Sequence, residues 1–299
     1  MRPKSATQTR TATGPTIDPH TIGVVGATPM GRVVARFFAE NGFHVTWVDV
    51  ERTALYGEFG LLRDTLGQRV ADGYMAQKDV DEILARIQVG TDFATLRTAC
   101  CVVESVPENL DTKTKAVGAI EQNIDRSVAV VTTTYELGVN RVAEMLHASD
   151  RLVGMHLMGI GGTFQVAEII SAQNTSPRVL AQFRALLGST FITPIEVSDR
   201  PGFLLNRLLL TQINEAAHIV YEGATTIEDV DLAIQTFTQQ ILGPLAMADL
   251  LGIDVVVRQL EALFLGSGEA RYQPCALLKE FLKAGRLGRK SGRGFYQYG

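Results

Sequence analysis

Cysteine, tryptophan and long apolar runs are scarce in this chain. Its three cysteines, Cys100, Cys101 and Cys275, make neither an even count nor a CxxC pair. That disfavours a disulfide framework and a thiolate zinc site. No metal site is therefore expected, and a reducing cytoplasm fits this usage best. No apolar run reaches the roughly 18 residues of a membrane helix. A surplus of positive charge is missing too: 28 Lys and Arg stand against 32 Asp and Glu, for a formal charge of −4. The chain has no general attraction for nucleic acid or anionic membranes, so any bound anion has to be held locally. The opening stretch MRPKSATQTRTATGPTIDPH has no signal-peptide core, and residues 1–20 are expected to form a mobile tail.

What is present is a 299-residue chain, 46% hydrophobic, long enough to bury a sizeable core in one or two domains. From Thr21, short apolar runs alternate with longer periodic segments. TIGVVG reads as a strand, MGRVVARFFAENG as a helix and HVTWVDV as a second strand, the order of a right-handed parallel crossover. Residues 51–86 read as a helical hairpin, with Gly73 at a helix end and Asp79 near a helix start. CCVVESV, SVAVVTTT, RLVGMHL, FQVAEII and FITPIEV resume the sheet, rich in Val, Ile and Thr as buried strands are. After SDRPGF nearly everything reads as amphipathic helix. These patterns predict an α/β fold: a doubly wound Rossmann-type nucleotide-binding domain over 21–200, followed by an all-helical domain over 201–299.

GATPMG, Gly26 to Gly31, lies between the first strand and first helix, and Asp49 ends the second strand 18 residues after Gly31. In a dinucleotide-binding crossover such glycines permit a tight turn and close backbone approach to a pyrophosphate, and the acid accepts hydrogen bonds from the adenosine ribose. Gly26, Thr28, Met30, Gly31 and Asp49 are cofactor-binding candidates on this pattern, and Asp49 favours NAD over NADP because a carboxylate repels a 2'-phosphate. Thr28 occupies the middle glycine position, where its branched side chain is expected to crowd the pyrophosphate. Farther on, His156 and Glu168 stand twelve residues apart in two apolar segments joined by glycines.

These residues, with VVESVPENLDTK, DRPGFLLNRLL, GPLAMADLLGID and the closing GRKSGRGFY, make the chain resemble the L-3-hydroxyacyl-CoA dehydrogenases from about Ile22 to Tyr298. The resemblance implies NAD as cofactor, an acyl thioester substrate and a homodimer formed through the helical domain. It implies that His156 is the general base for the substrate hydroxyl, that Glu168 pairs with the imidazole, and that Asn206 orients substrate or cofactor. It places Glu108 and Lys113 along the cofactor's ribose and nicotinamide end. The chemistry is sound: a neutral imidazole accepts a proton near pH 7, and a carboxylate on its other nitrogen fixes the tautomer and stabilises the imidazolium.

Three departures stand out. The family's active-site serine falls on Tyr135, whose hydroxyl lies farther out on a rigid ring and leaves open the uses of donor, acid or filler. The asparagine three residues after the histidine becomes Gly159, and the loop becomes GIGGT, which predicts a looser dyad. In residues 51–72, where the family meets coenzyme A, three Arg face two Glu and two Asp with no Lys, a poor anion site. A carrier-protein-bound acyl group, as in secondary metabolism, is thus an alternative to acyl-CoA. Loss of redox chemistry is a further alternative, with the cleft used for dehydration, cyclisation, hydrolysis or ligand binding.

Overall fold

The computed structural model describes residues 16–135, 137–160 and 163–299, which fall into two units meeting between Glu196 and Val197. Most of the expected tail, residues 1–15, lies outside the described residues. The first unit contains β1 (Asp18–Val25), α1 (Pro29–Glu40), β2 (His44–Val48), α2 (Arg52–Ala71), α3 (Gln77–Ala85), β3 (Ile87–Gly90), β4 (Ala99–Glu104), α4 (Leu110–Asn123), β5 (Ala129–Thr132), α5 (Val139–Ala143), β6 (Leu152–Ile160), β7 (Thr163–Ser171) and α6 (Pro177–Gly188). β8 (Thr193–Ser198) completes its sheet. β1 thus begins at Asp18, three residues before the expected Thr21.

The strand order is β3-β2-β1-β4-β5-β6-β7-β8, and pairing is parallel from β3 through β6. The order turns at β1 and β4, so the chain ends after β1 and β4 diverge and leave a crevice above the strands, the usual ligand position in such sheets. Ile22, Val24, Trp47, Val103 and Val131 are fully or almost fully buried in the core together with Phe38 of α1. Helices cover both faces, which is why these strands read as continuous apolar runs and not as alternating ones. α2 turns Leu55, Leu62 and Leu66 inward, and Gly73 supplies the positive φ of 78° that ends the turn after it.

β6 and β7 depart from the parallel pattern and pair as an antiparallel hairpin, with His156 opposite Glu168. Pairing slips by one residue between Met158 and Gly159, so Phe164 rather than Gln165 faces Gly159, a β-bulge. Gly159 and Thr163 of the expected glycine loop therefore lie in strands, whereas Gly161 and Gly162 fall outside the described residues.

The second unit holds α7 (Leu205–Tyr221), α8 (Ile227–Thr238), α9 (Pro244–Leu251), α10 (Ile253–Ser267) and α11 (Ala276–Lys283) around Leu210, Ile213, Leu245, Leu260 and Phe281. Two buried acids organise it. Asp231 accepts the Leu245 and Ala246 N–H groups at 2.8 and 2.9 Å and so caps α9. Asp249 accepts the Phe295 and Tyr296 N–H groups, each at 2.9 Å, and the Tyr298 hydroxyl at 3.0 Å. This clasp explains the closing GRGFY: a Cβ on Gly294 would overlap the Asp249 carboxylate. No helix among the described residues is long and apolar enough to cross a membrane.

Candidate active site

The glycine turn is fixed on all sides. Gly26 donates its N–H to the Val48 carbonyl at 3.0 Å and accepts the indole N–H of buried Trp47 at 2.8 Å. Its φ is +126°, and a Cβ there would stand 2.7 Å from the Ser105 backbone, so only glycine fits. A Cβ on Gly31 would overlap the Gly26 carbonyl oxygen. Asp49 closes the turn from β2, accepting the Ala27 N–H at 2.6 Å and the Glu51 N–H at 2.8 Å.

Thr28 does not take the posture expected of it. Its backbone is extended, and its hydroxyl accepts the Gly31 N–H at 3.0 Å while donating to the Ser105 carbonyl at 2.6 Å. The side chain is the N-cap of α1, folded into the turn. Pro29 follows at the first helical position, where its missing N–H costs no helix bond. The Met30 N–H is then left without a partner among the described residues at the positive end of the helix, where an anion is favoured. Replacing Thr28 with glycine is expected to change the Kd for NADH by less than about threefold, or about 0.6 kcal/mol. A tenfold gain in affinity by calorimetry would mean that the threonine obstructs the turn after all.

Beside the turn lies a cavity of about 450 Å³ lined by Ala27, Asp49, Val50, Phe93, Val106 and Pro107 among others. A largely apolar slot with the Asp49 and Glu51 carboxylates and Lys115 at its wall suits a purine with its ribose hydroxyls, and the glycine turn next to it suits a pyrophosphate. The residues present therefore fit a dinucleotide.

The hairpin brings His156 and Glu168 together: Nδ1 lies 2.6 Å from the Glu168 carboxylate. Glu168 is wholly buried and the imidazole is 19% exposed. An ionised carboxylate only accepts, so in this pair Nδ1 is the donor, and the basic nitrogen of a neutral imidazole so held is Nε2. The Tyr135 ring sits against the imidazole, with centroids 5.8 Å apart and planes tilted by 36°, within the range of attractive aromatic pairs.

Glu108 and Lys113 belong to a network around the turn between β4 and α4. One oxygen of Glu108 accepts the Thr134 hydroxyl and, at 3.2 and 3.1 Å, the N–H groups of Tyr135 and Leu137. Burial opposes its charge, but the Thr134 hydroxyl, the Lys113 ammonium and the Leu137 N–H outweigh that and hold its pKa below the usual carboxylate range. Lys113 is only 1% exposed, with its amine 3.0 Å from Glu104 and 3.3 Å from Glu108. The resemblance implies a place along the cofactor's ribose and nicotinamide end; here the amine is enclosed between these two carboxylates. Glu104, wholly buried at the end of β4, went unremarked in the sequence; an acid inside the apolar run CCVVESV was the available signal.

In the helical unit, Asn206 lies in the first turn of α7 and is 4% exposed. Its amide nitrogen has no hydrogen-bond partner among the described residues, which costs about 1–3 kcal/mol. The turn before it is strained: Gly202 and Phe203 both have positive φ, 74° and 52°, and a bulky residue adopts that conformation at a cost.

Comparison with known proteins accounts for this arrangement. The family model for the 3-hydroxyacyl-CoA dehydrogenase NAD binding domain matches residues 21–200, and that for the C-terminal domain matches residues 202–298. A probable 3-hydroxybutyryl-CoA dehydrogenase of Bacillus subtilis is 33% identical over 277 residues, covering 93% of this chain and 96% of that one. The crystal structure of (S)-3-hydroxybutyryl-CoA dehydrogenase PaaH1 from Ralstonia eutropha superposes with a TM-score of 0.84 at 31% identity, covering 94% of this chain and 100% of the other. A diketoreductase acting on dicarbonyl compounds gives 0.79 at 25% identity, covering 96% and 100%. With a glycine turn built for a dinucleotide and matches along nearly its whole length, the chain belongs to the 3-hydroxyacyl-CoA dehydrogenase family and is an NAD-dependent oxidoreductase.

Proposed function

We propose that the protein interconverts a hydroxyl and a ketone at C3 of an acyl thioester, with His156 as the base. The observation that carries this reading is the 2.6 Å pairing of His156 with buried Glu168. Nε2 of His156 takes the hydroxyl proton as the carbon gives up hydride, and Glu168 stabilises the imidazolium that forms. Asn206 offers its unpaired amide N–H to the substrate oxygen or the cofactor amide, and Tyr135 walls the imidazole. NAD, when bound, supplies the hydride acceptor at its nicotinamide ring. Gly26, Thr28, Met30 and Gly31 hold its pyrophosphate, Asp49 its adenosine ribose, and the Glu108 turn borders its nicotinamide half.

Either acyl-CoA or a carrier-bound acyl group serves as substrate in this reading, because α2 offers little to the coenzyme A nucleotide. Arg69 is bound to Glu40 at 3.0 Å, Arg52 lies over the Tyr56 ring at 5.4 Å, and Arg63 is 3.9 Å from Asp64. The acyl end thus carries recognition. The test compares acetoacetyl-CoA with its N-acetylcysteamine thioester, which lacks the nucleotide. The kcat/KM values are expected to agree within about tenfold, or about 1.4 kcal/mol; a hundredfold preference for the coenzyme A ester would overturn this carrier reading. Exposed Leu208 of α7 and Leu232 and Phe237 of α8 support a homodimer formed through the helical unit.

A further inference from the structure

The slot beside the glycine turn carries more charge than a ribose alone calls for. Asp49 after β2 and Glu51 before α2 bring two carboxylates to its wall, and α4 brings one cation, Lys115. Thr112, Lys115, Ala116 and Ala119 all line the slot, and a spacing of three, four and seven residues is one face of a helix. Lys113 lies off that face, with its amine between Glu104 and Glu108.

Glu51 does little for the fold. It is the N-cap of α2, a position that favours Ser, Thr, Asp and Asn, yet its side chain makes no capping bond. Among the described residues no hydrogen bond or ion pair engages its carboxylate or the Lys115 ammonium. Asp49, by contrast, is locked: its two oxygens accept the Ala27 and Glu51 N–H groups at 2.6 and 2.8 Å. It keeps lone pairs for a ribose hydroxyl, but it cannot turn aside for a phosphate without giving up both bonds. A 2'-phosphate on that ribose carries about two negative charges at pH 7. It would stand in the field of both acids, in a slot whose apolar walls screen charge weakly. Arg52, next in sequence to Glu51, is not part of the slot wall and lies over the Tyr56 ring at 5.4 Å.

On the reading that Asp49 holds the adenosine ribose, we propose that Glu51 is a second specificity-determining residue that joins Asp49 in turning away a 2'-phosphate, and that Lys115 tempers this exclusion from the α4 wall. The two carboxylates repel the phosphate. The ammonium attracts it, and also offsets the acids' repulsion of the pyrophosphate that both cofactors share. Selectivity for NAD is then a balance of three side chains and not the work of Asp49 alone.

The test uses the full chain and reads the Kd of NADH and of NADPH by calorimetry, with competition against NADH where NADPH binds weakly. The ratio of the NADPH Kd to the NADH Kd cancels effects common to both cofactors, so a merely structural change leaves it where it was. Glu51→Gln is expected to lower the ratio by about tenfold, and Lys115→Met to raise it by at least about threefold. The double variant is expected within about threefold of the natural ratio. Salt at about 0.5 M should shrink each single effect.

A ratio unchanged in Glu51→Gln, or lowered in Lys115→Met, would overturn the proposal. Asp49→Asn tells that failure from a failure of the ribose reading. If Asp49→Asn lowers the ratio by about tenfold while Glu51→Gln leaves it alone, the ribose stays at Asp49 and Glu51 has no part in selectivity. A ratio moved by none of the three substitutions would remove the ribose from the slot and the proposal with it. Both Glu51 and Lys115 are exposed, and circular dichroism checks that each variant folds; should Glu51→Gln fail, Glu51→Ser, with a favoured N-cap residue, decides on the same ratio.

Discussion

Replacing His156 with glutamine is expected to lower kcat by about 10² to 10⁴-fold, the contribution of a positioned general base. Glutamine approximates the size of the imidazole and can donate to Glu168, so the hairpin pairing of β6 and β7 should persist. It has no basic nitrogen to take the hydroxyl proton. The cavity beside Asp49 and the turn at Gly26 are built by other elements, so NADH affinity should stay within about threefold. Steady-state kinetics with acetoacetyl-CoA beside calorimetry with NADH separates the two effects. A variant that retained most of its kcat would remove His156 from the chemistry; one that lost NADH binding would place the residue in the cofactor site.

The second large effect is expected at Gly159. Its sequence neighbourhood suggests a weakened dyad, because an asparagine that supports the family's histidine is missing there. The hairpin gives the glycine a different reason. At the bulge a Cβ on residue 159 would overlap the Thr163 carbonyl oxygen and stand 2.7 Å from the Phe164 Cα, so both neighbours to be displaced are backbone. Gly159→Asn should therefore destabilise the protein by about 1–3 kcal/mol, the cost of forcing atoms into a packed site. It should also lower kcat at least about tenfold, since displaced strands carry His156 away from Glu168. Thermal unfolding and kinetics of the purified variant check both. An unchanged melting temperature with raised kcat would show that the dyad does lack a support and that the strand geometry at 159 is not what excludes a side chain.

The parts of the fold that were legible had long or repeated signals. The crossover from TIGVVG through MGRVVARFFAENG to HVTWVDV appears as β1, α1 and β2 within a few residues, because core burial on both sheet faces forces continuous apolar strands. β3 escaped notice: four residues, IQVG, directly after α3 have no room for a period to show. The antiparallel turn of β6 and β7 escaped for another reason, since two apolar runs look the same whichever way they pair. Only that pairing sets His156 opposite Glu168.

Side-chain roles that depend on a distant partner were illegible for the same physical reason. Thr28 reads as an obstruction until its hydroxyl is seen capping α1 and bonding to Ser105, 77 positions away. Lys113 reads as one polar residue of a helix start until Glu104 and Glu108 are found around its amine. Nothing in the helical sequence around Asp231 and Asp249 shows their partners, yet each collects three backbone or hydroxyl donors.

The most direct test of the account is a single-turnover experiment in which the natural protein, loaded with NADH, is mixed with acetoacetyl-CoA and followed by cofactor absorbance. The account predicts NADH oxidation with formation of the 3-hydroxy thioester in equal amount. Tight NADH binding with no oxidation against either the coenzyme A ester or its N-acetylcysteamine analogue would contradict it, and would leave the His156–Glu168 pair without a hydride to follow.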